Sequence, residues 1–477
     1  MSKVKAEYKF RQVMDVIVNM VKNEVLKPGD KVPSLRRMSE DQSVSISTVM
    51  QAYMELETVG VLEAKPQSGF YVSKGTFAPR EQMEKTKPSK QPMQVTNSDH
   101  IQTVLDAMVN PSIIPLGCAI PSSELLPHKE LLNIMKKVLN MDNDSNMEYG
   151  DTKGAKFFRQ QIAYYMNMNG NSVHSDNIIV TNGASEGMSL ALHALTSPGD
   201  LIVMESPSYF GFMHLLETSK VFAMELPTCP EYGVEIEDLY NAVKRYGVKA
   251  FLTQPNFGNP MGHSYPEEVK KEIVEICSRF NVPIIEDDIN GDFAFNGKRG
   301  SNLKKYDTDG NVIHISSFSK TLSSGMRVGW IEAGKYLDQI LRQKIATSMA
   351  TNEVTQLTIA HYLASGKYPR HMRKMNNAIK NQIQAYTMKI LKYFPEGTKI
   401  SEPSGGFVLW VELPDGIDTN ELLPKTLSEN ISFTPGAIFS SQDRYHNFMR
   451  INCGHPLDER IEGGIKRIGE LCKEALK

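Results

Sequence analysis

The chain has 477 residues, 53 Lys and Arg against 55 Asp and Glu for a net charge of −2, and 40% hydrophobic residues. These values exclude bulk disorder and give no charge signal for a nucleic-acid partner, while the length predicts two or three folding units. Five cysteines (Cys118, Cys229, Cys277, Cys453, Cys472) without a Cys-x-x-Cys pair argue against a disulfide frame or zinc site. With no signal core and no apolar run of the ~18–20 residues that a membrane span requires, a cytoplasmic protein without a resident metal is expected.

From Tyr8 to Glu24 apolar residues (Phe10, Val13, Met14, Ile17, Val18, Val21) recur at helical spacing, and Lys27-Pro28-Gly29-Asp30 ends that helix. Ser34 is placed to cap a second helix, and Val44-Ser45-Ile46-Ser47-Thr48-Val49 opens a third that turns Val49, Tyr53 and Leu56 inward and small hydroxyls outward. Two short helices across a tight turn predict a helix-turn-helix. Gly60-Val61-Leu62 and Gly69-Phe70-Tyr71-Val72 predict a hairpin behind it.

The ordered set Pro-Gly-Asp-Lys-Val-Pro-Ser-x-Arg, Val-Ser-x-Ser-Thr-Val, Ala-Tyr-x-x-Leu and Gly-x-Leu resembles the winged-helix domain of GntR-type transcription regulators over residues 8–73. The resemblance implies that Arg36, Ser45, Ser47, Thr48 and the wing around Gln67 and Ser68 approach double-stranded operator DNA. The bland rival for Arg36 is a brace against the first helix. Ile46 stands where many such domains carry a polar or basic residue, which removes a base hydrogen bond there. Residues 1–75 hold eleven Lys and Arg against nine Asp and Glu, so charge by itself is a weak guide.

From Thr76 the chain is rich in Lys, Pro, Gln and Met without an apolar period, and residues 76–110 are expected to form a flexible linker between a domain at 1–75 and one at 111–477.

Beyond it, short buried runs at 178–181, 201–204, 250–253, 283–286 and 312–315 alternate with helical stretches, the α/β rhythm of a mostly parallel sheet. Ligands on such sheets gather at the carboxyl ends of strands, and polar motifs fall there. Thr181-Asn182-Gly183-Ala184-Ser185-Glu186-Gly187 turns a strand into a helix whose first amides attract phosphate. Pro207-Ser208-Tyr209 sets an aromatic ring after a strand, to stack on a flat ligand or to fill the core. Gln254-Pro255-Asn256-Phe257-Gly258-Asn259-Pro260-Met261-Gly262 forces irregular backbone that brings Asn259 to the cleft, unless it is only a turn. Asp287 follows a buried strand, where a carboxylate can pair with a ring nitrogen or cap a helix. Ser317-Phe318-Ser319-Lys320-Thr321 places a lysine at a strand end, and lysine forms Schiff bases with carbonyl cofactors, with serine hydroxyls and Arg327 suited to a phosphate. A solvated loop lysine is the rival.

In this order, with Lys320 thirty-three residues after Asp287, and with Tyr149-Gly150-Asp151, Gly405-Gly406-Phe407 and Met449-Arg450-Ile451-Asn452, residues 111–477 resemble fold-type I aminotransferases. The resemblance implies a large α/β domain with a smaller C-terminal α+β subdomain, and pyridoxal 5'-phosphate as cofactor. It makes Lys320 the anchor, Asp287 the partner of the ring nitrogen, Asn259 a donor to the ring hydroxyl and Tyr209 the stacking ring. Lys320, Asp287 and Tyr209 are the catalytic set. Ala184, Ser185, Ser317, Ser319 and Arg327 would hold the phosphate, and Tyr149 would reach in from the second subunit of a homodimer. Arg450 would take a substrate carboxylate, its rival being a surface salt bridge. Such sites carry a tyrosine three residues after the aspartate; Asn290 here cannot ionise, so any transamination is expected to be slow.

A GntR-type head on an aminotransferase-like domain is the layout of MocR-type regulators. The resemblance implies a regulator in which the cofactor on Lys320 senses an amino compound, or is itself the signal, and changes operator binding. The alternative is a working aminotransferase with a DNA-binding appendage.

Overall fold

The computed structural model describes residues 13–14, 16–21, 25–58, 61–65, 68–73, 83–95, 100–141 and 148–477. It divides into two compact units, Met1–Gln82 and Met83–Lys477.

In the first unit, helical residues 13–14 and 16–21 bury Val13, Ile17 and Val21, the spacing of one helix face. Phe10, Gly60 and Gln67 lie outside the described residues. Helix α1 (Leu35–Asp41) starts where Ser34 Oγ accepts from the Arg37 amide. Helix α2 (Ile46–Thr58) follows Ser45, whose Oγ accepts from the Thr48 amide at 3.2 Å. Val49, Ala52, Tyr53 and Leu56 of α2 are buried in one cluster with Met38 of α1. Tyr53 Oη donates to Pro33 O at 2.9 Å, which ties α2 to the start of α1. The expected hairpin is present as β1 (Leu62–Lys65) antiparallel to β2 (Gly69–Val72).

In the second unit the strands are, in chain order, β3 (Met93–Gln94), β4 (Ile114–Pro115), β5 (Ile178–Thr181), β6 (Leu201–Ser206), β7 (Phe222–Cys229), β8 (Gly233–Val234), β9 (Val248–Thr253), β10 (Ile284–Asp287), β11 (Val312–Ser317) and β12 (Gly329–Glu332). The main sheet runs β3-β7-β6-β9-β10-β11-β12-β5, with β8 on β7. Strands β7, β6, β9, β10 and β11 are parallel neighbours, whereas β12 is antiparallel to both β11 and β5. Strands β5, β10, β11 and β12 are buried throughout, which is why they read as unbroken apolar runs rather than alternating ones.

This order gathers the carboxyl ends of β5, β6, β9, β10 and β11 on one edge. Gly329, the first residue of β12, pairs with Ser317 on one side and Thr181 on the other, so the loop before it opens on that same edge. A smaller lobe follows: β13 (Lys399–Ile400), β14 (Val408–Glu412), β15 (Ile431–Ser432), β16 (Thr434–Pro435) and β17 (Phe448–Asn452). Its sheet runs β13-β14-β17-β16, and β15 pairs with β4.

The stretch expected to be a flexible linker belongs in large part to the second unit. Thr86 Oγ1 donates to Ser206 O at 2.7 Å and accepts from the Thr228 amide at 2.8 Å. Lys85 pairs with Glu235 at 2.7 Å, the Ser89 amide donates to Gln442, and β3 pairs antiparallel with β7. These anchors are polar or main-chain bonds, which leave no apolar period in the sequence. Helix α3 (His100–Val109) lies inside the same stretch, with Ile101 and Val104 buried. Its apolar residues recur at helical spacing, so the expected linker over 76–110 does not extend through it.

Candidate active site

The polar ends of the sheet, the segment Cys118–Ile120, α3 and the start of β14 enclose a cavity of about 740 Å³, within the size range of small-molecule sites. Lys320, Asp287, Asn259, Tyr209, Ala184, Ser185, Ser317, Ser319, Arg327 and Arg450 all line it, as do Gln254 and Asn290.

Lys320 lies in the turn after β11, and its Nζ donates to Ala119 O at 2.7 Å. Burial, then the nearby Arg450 cation, pulls its ammonium down to about 8, so the neutral amine is within reach near neutral pH. A solvated loop lysine would have neither property. Asp287 ends β10 and is buried, with Oδ2 accepting from Gln254 Nε2 at 2.7 Å and Oδ1 from the Ile289 amide at 3.1 Å. Burial raises its carboxyl to about 6. The neighbouring Asp288 is held low by Arg299, with Asn256 Nδ2 donating to it at 3.0 Å. Adjacent carboxylates therefore differ: Asp288 is spent on a buried ion pair, and Asp287 faces the cavity without a cation of its own among the described residues.

Arg450 on β17 is 1% exposed. Its guanidinium donates to Asn259 Oδ1 at 3.0 Å, Gly117 O at 2.6 Å and Thr434 Oγ1 at 3.0 Å, while its buried Nε has no partner among the described residues. Burial lowers it to about 10. No carboxylate pairs with it among the described residues, and the depth rules out a surface salt bridge. A buried guanidinium bonded only to neutral oxygens is poised for an anion.

Helix α4 (Ala184–Leu195) presents its first amides at the cavity, after Gly183 at φ +78°. A Cβ on Gly183 would lie 2.6 Å from Arg327 Nη2, so glycine is what lets this turn and that guanidinium meet. Arg327 Nη2 donates to Asn182 O at 3.1 Å and is exposed. Amides at a helix start, serine hydroxyls and an arginine make a phosphate cradle. Tyr209 precedes α5 (Phe210–Thr218) and packs on Phe210 and Phe212 at 4.8 and 5.4 Å between ring centroids. A Cβ on Gly211 would lie 2.4 Å from its ring, a placement that was not legible in the sequence.

Three residues without an assigned role in the sequence organise this site. Gln254, one residue past β9, donates to Asp287 and accepts from the Asn259 amide at 2.9 Å, linking two candidate cofactor contacts through one side chain. The carbonyls of Gly117 and Ala119 receive Arg450 and Lys320. Asn290 donates to Phe257 O at 3.0 Å, so its amide is engaged with backbone. Tyr149 is 89% exposed and does not line this chain's cavity. Arg36, Ser45 and Ser47 are exposed on the first unit and Thr48 is half-buried, with Ser45 Oγ within 2.8 Å of Ser47 Oγ and 2.7 Å of Thr48 Oγ1.

Residues 122–468 match the family Aminotransferase class I and II, and residues 9–72 match Bacterial regulatory proteins, gntR family. YjiR of Escherichia coli (strain K12), an uncharacterized HTH-type transcriptional regulator, is 34% identical over 98% of this chain and all of its own length. The chain belongs to the GntR–aminotransferase fusion family, the MocR type. NorG of Staphylococcus aureus (strain NCTC 8325 / PS 47), an HTH-type transcriptional regulator, is 27% identical over 93% of this chain and 100% of its own length. The multiple substrate aminotransferase of Thermococcus profundus superposes with TM-score 0.74 at 25% identity over 80% of this chain and 96% of that one. The kynurenine aminotransferase of Pyrococcus horikoshii, solved with PMP, does so with TM-score 0.74 at 27% identity over the same shares. The donor set fits the cofactor of this MocR-type domain, pyridoxal 5'-phosphate. It offers a depressed lysine amine, a buried carboxylate without an ion pair among the described residues, a ring to stack on and a cradle at a helix start. No helix among the described residues is long and apolar enough to cross a membrane.

Proposed function

We propose that this protein is a DNA-binding transcriptional regulator whose large unit carries pyridoxal phosphate on Lys320 and reads an amino compound there, changing the affinity of the winged-helix unit for its operator. The observation that carries this reading is the pairing, in one chain, of a GntR unit with a cavity in which Lys320, Asp287 and Arg450 are buried or depressed without a direct ion pair among the described residues.

In this reading Asp287 stabilises the protonated ring nitrogen and Asn259 offers its amide NH₂, since its oxygen is taken by Arg450. Tyr209 stacks on the ring, and Ala184, Ser185, Ser317, Ser319 and Arg327 bind the phosphate. Tyr149 reaches the site of a second copy in a homodimer. When bound, the cofactor supplies an electrophilic carbon that combines reversibly with amines. Lys320 Nζ, which as a free amine donates to Ala119 O, would give up that contact on holding the cofactor, and Arg450 would hold a carboxylate of the amino compound. Regulation follows only if the ligand has different affinities for two states of the chain, and by linkage operator DNA then changes ligand affinity by the same factor.

The test is a titration of the cofactor-loaded protein with amino compounds, following operator binding by fluorescence anisotropy at fixed salt. Operator affinity should shift at saturation; an unchanged affinity sinks the switch while leaving DNA binding intact. A parallel titration of the apo protein with pyridoxal phosphate alone separates sensing of the cofactor itself.

A further inference from the structure

The cavity's charges are few and each has a task. Among the described residues its only charged side chains are Asp287, Lys320, Arg327 and Arg450. In the function proposed above, three of these serve the cofactor and Arg450 serves one carboxylate. The rest of the lining holds no Asp, Glu, Lys or Arg, and its one imidazole, His214, is exposed.

Beside the polar groups Thr218, Ser324 and His214, one side of the lining is an apolar wall. Ile101, Leu105 and Met108 sit four and three residues apart on α3, hence on one face, and all three line the cavity. Leu105 and Met108 are 37% and 44% exposed, so large apolar surface is left uncovered at a ligand cavity. The same helix is fastened to the floor of the site: Val104 is buried and its carbonyl accepts from Cys118 Sγ at 3.4 Å. Cys118 lies between Gly117 and Ala119, whose carbonyls hold Arg450 and Lys320. Two residues of extended chain span at most about 7 Å, so the carboxylate fork, the amine anchor and the α3 face adjoin.

We infer that the effector is an amino acid with a single carboxylate and an apolar side chain, received by the Ile101, Leu105 and Met108 face of α3. A second carboxylate or ammonium on the side chain would meet no oppositely charged side chain on this face among the described residues and would lose part of its hydration. The inference rests on the amine-sensing reading of Lys320.

Calorimetric titration of the cofactor-loaded protein with L-leucine, L-phenylalanine, L-glutamate and L-lysine, with cofactor absorbance recorded on the same samples, tests it. L-Leucine or L-phenylalanine should bind at least about tenfold more tightly than L-glutamate and L-lysine. Leu105→Arg should narrow or reverse the preference against L-glutamate, and Met108→Arg, at a more exposed position, provides the same reading if the first variant folds poorly. Equal or tighter binding of L-glutamate or L-lysine by the unaltered protein overturns the inference and leaves amine sensing standing. If none of the four binds or perturbs the absorbance, the inference falls, while the amine-sensing reading answers to the operator titration above.

Discussion

Helix α2 and the cavity present their polar groups in opposite ways. At the start of α2 the hydroxyls of Ser45, Ser47 and Thr48 bond mainly to one another and to the helix start, and Arg36 is exposed nearby in sequence. In the cavity, Asp287 and Arg450 are buried and displaced from their ordinary protonation ranges by that burial. The first arrangement costs the free protein little and yields contacts of modest strength. The second takes charges out of water in advance, so each lost partner has a larger effect.

The sharpest way to break this contrast is at Lys320. Lys320→Ala should abolish covalent cofactor attachment altogether, read as the mass of the borohydride-reduced protein; an adduct surviving in the variant would move the anchor elsewhere. In the unaltered apo protein, cofactor uptake should rise about tenfold per pH unit and level off near pH 8, because the neutral amine accumulates as the proton leaves. A profile still climbing well above pH 9 would contradict the depressed amine.

Next in size is Arg450. Replacing it with methionine should weaken binding of a carboxylate-bearing amine by on the order of 3 kcal/mol, about a hundredfold, in an absorbance titration. Because Arg450 helps to depress Lys320, the uptake profile of Arg450→Met should also move to higher pH. An amine without a carboxylate should be indifferent to the change; equal losses for both ligands would assign Arg450 to packing.

Asp287 tests the cost of pre-burying a charge. Its folded carboxyl titrates near 6, above the ordinary carboxylate range, so it opposes folding once the unfolded chain is ionised. The penalty is absent at acid pH, grows from about pH 4 and is complete above about pH 6. Asp287→Asn should therefore stabilise the apo protein at pH 8 by on the order of 2–3 kcal/mol while weakening cofactor retention. Chemical denaturation at pH 8 and pH 4 checks both magnitude and sign, and a variant less stable at pH 8 would refute the account.

The smallest effects belong to the head. Arg36→Ala should cost operator binding about 1 kcal/mol and lower the salt-dependence slope by about one, as expected of a phosphate contact. Ser45→Ala should cost about 1 kcal/mol of helix stability through loss of its cap, whatever its part in DNA binding. A salt slope unchanged by Arg36→Ala would return that residue to the role of a brace.

Much of this was legible in residues because local chemistry carried it. The apolar runs of β5, β9, β10 and β11 announced a buried sheet, Ser34 announced a cap, and the polar motifs at strand ends placed Lys320, Asp287 and Asn259 at one ligand edge, while Arg450 came only through the family resemblance. Strands β7 and β12 escaped notice because no polar motif marks their ends and β12 enters antiparallel. The docking of residues 83–95 escaped because hydrogen bonds through Thr86 and Ser89 leave no period to read.

What the sequence determined by itself is therefore the kind of protein and the identity of its reactive groups, since periodicity and motif order are local properties. Only the tertiary structure decided what surrounds them. It shows that Arg450 has no carboxylate beside it among the described residues, that Gln254 ties Asp287 to Asn259, and that α3 from the supposed linker walls the cavity. Those facts depend on residues up to hundreds of positions apart being brought together, and burial, which sets the charge states, exists only once they are.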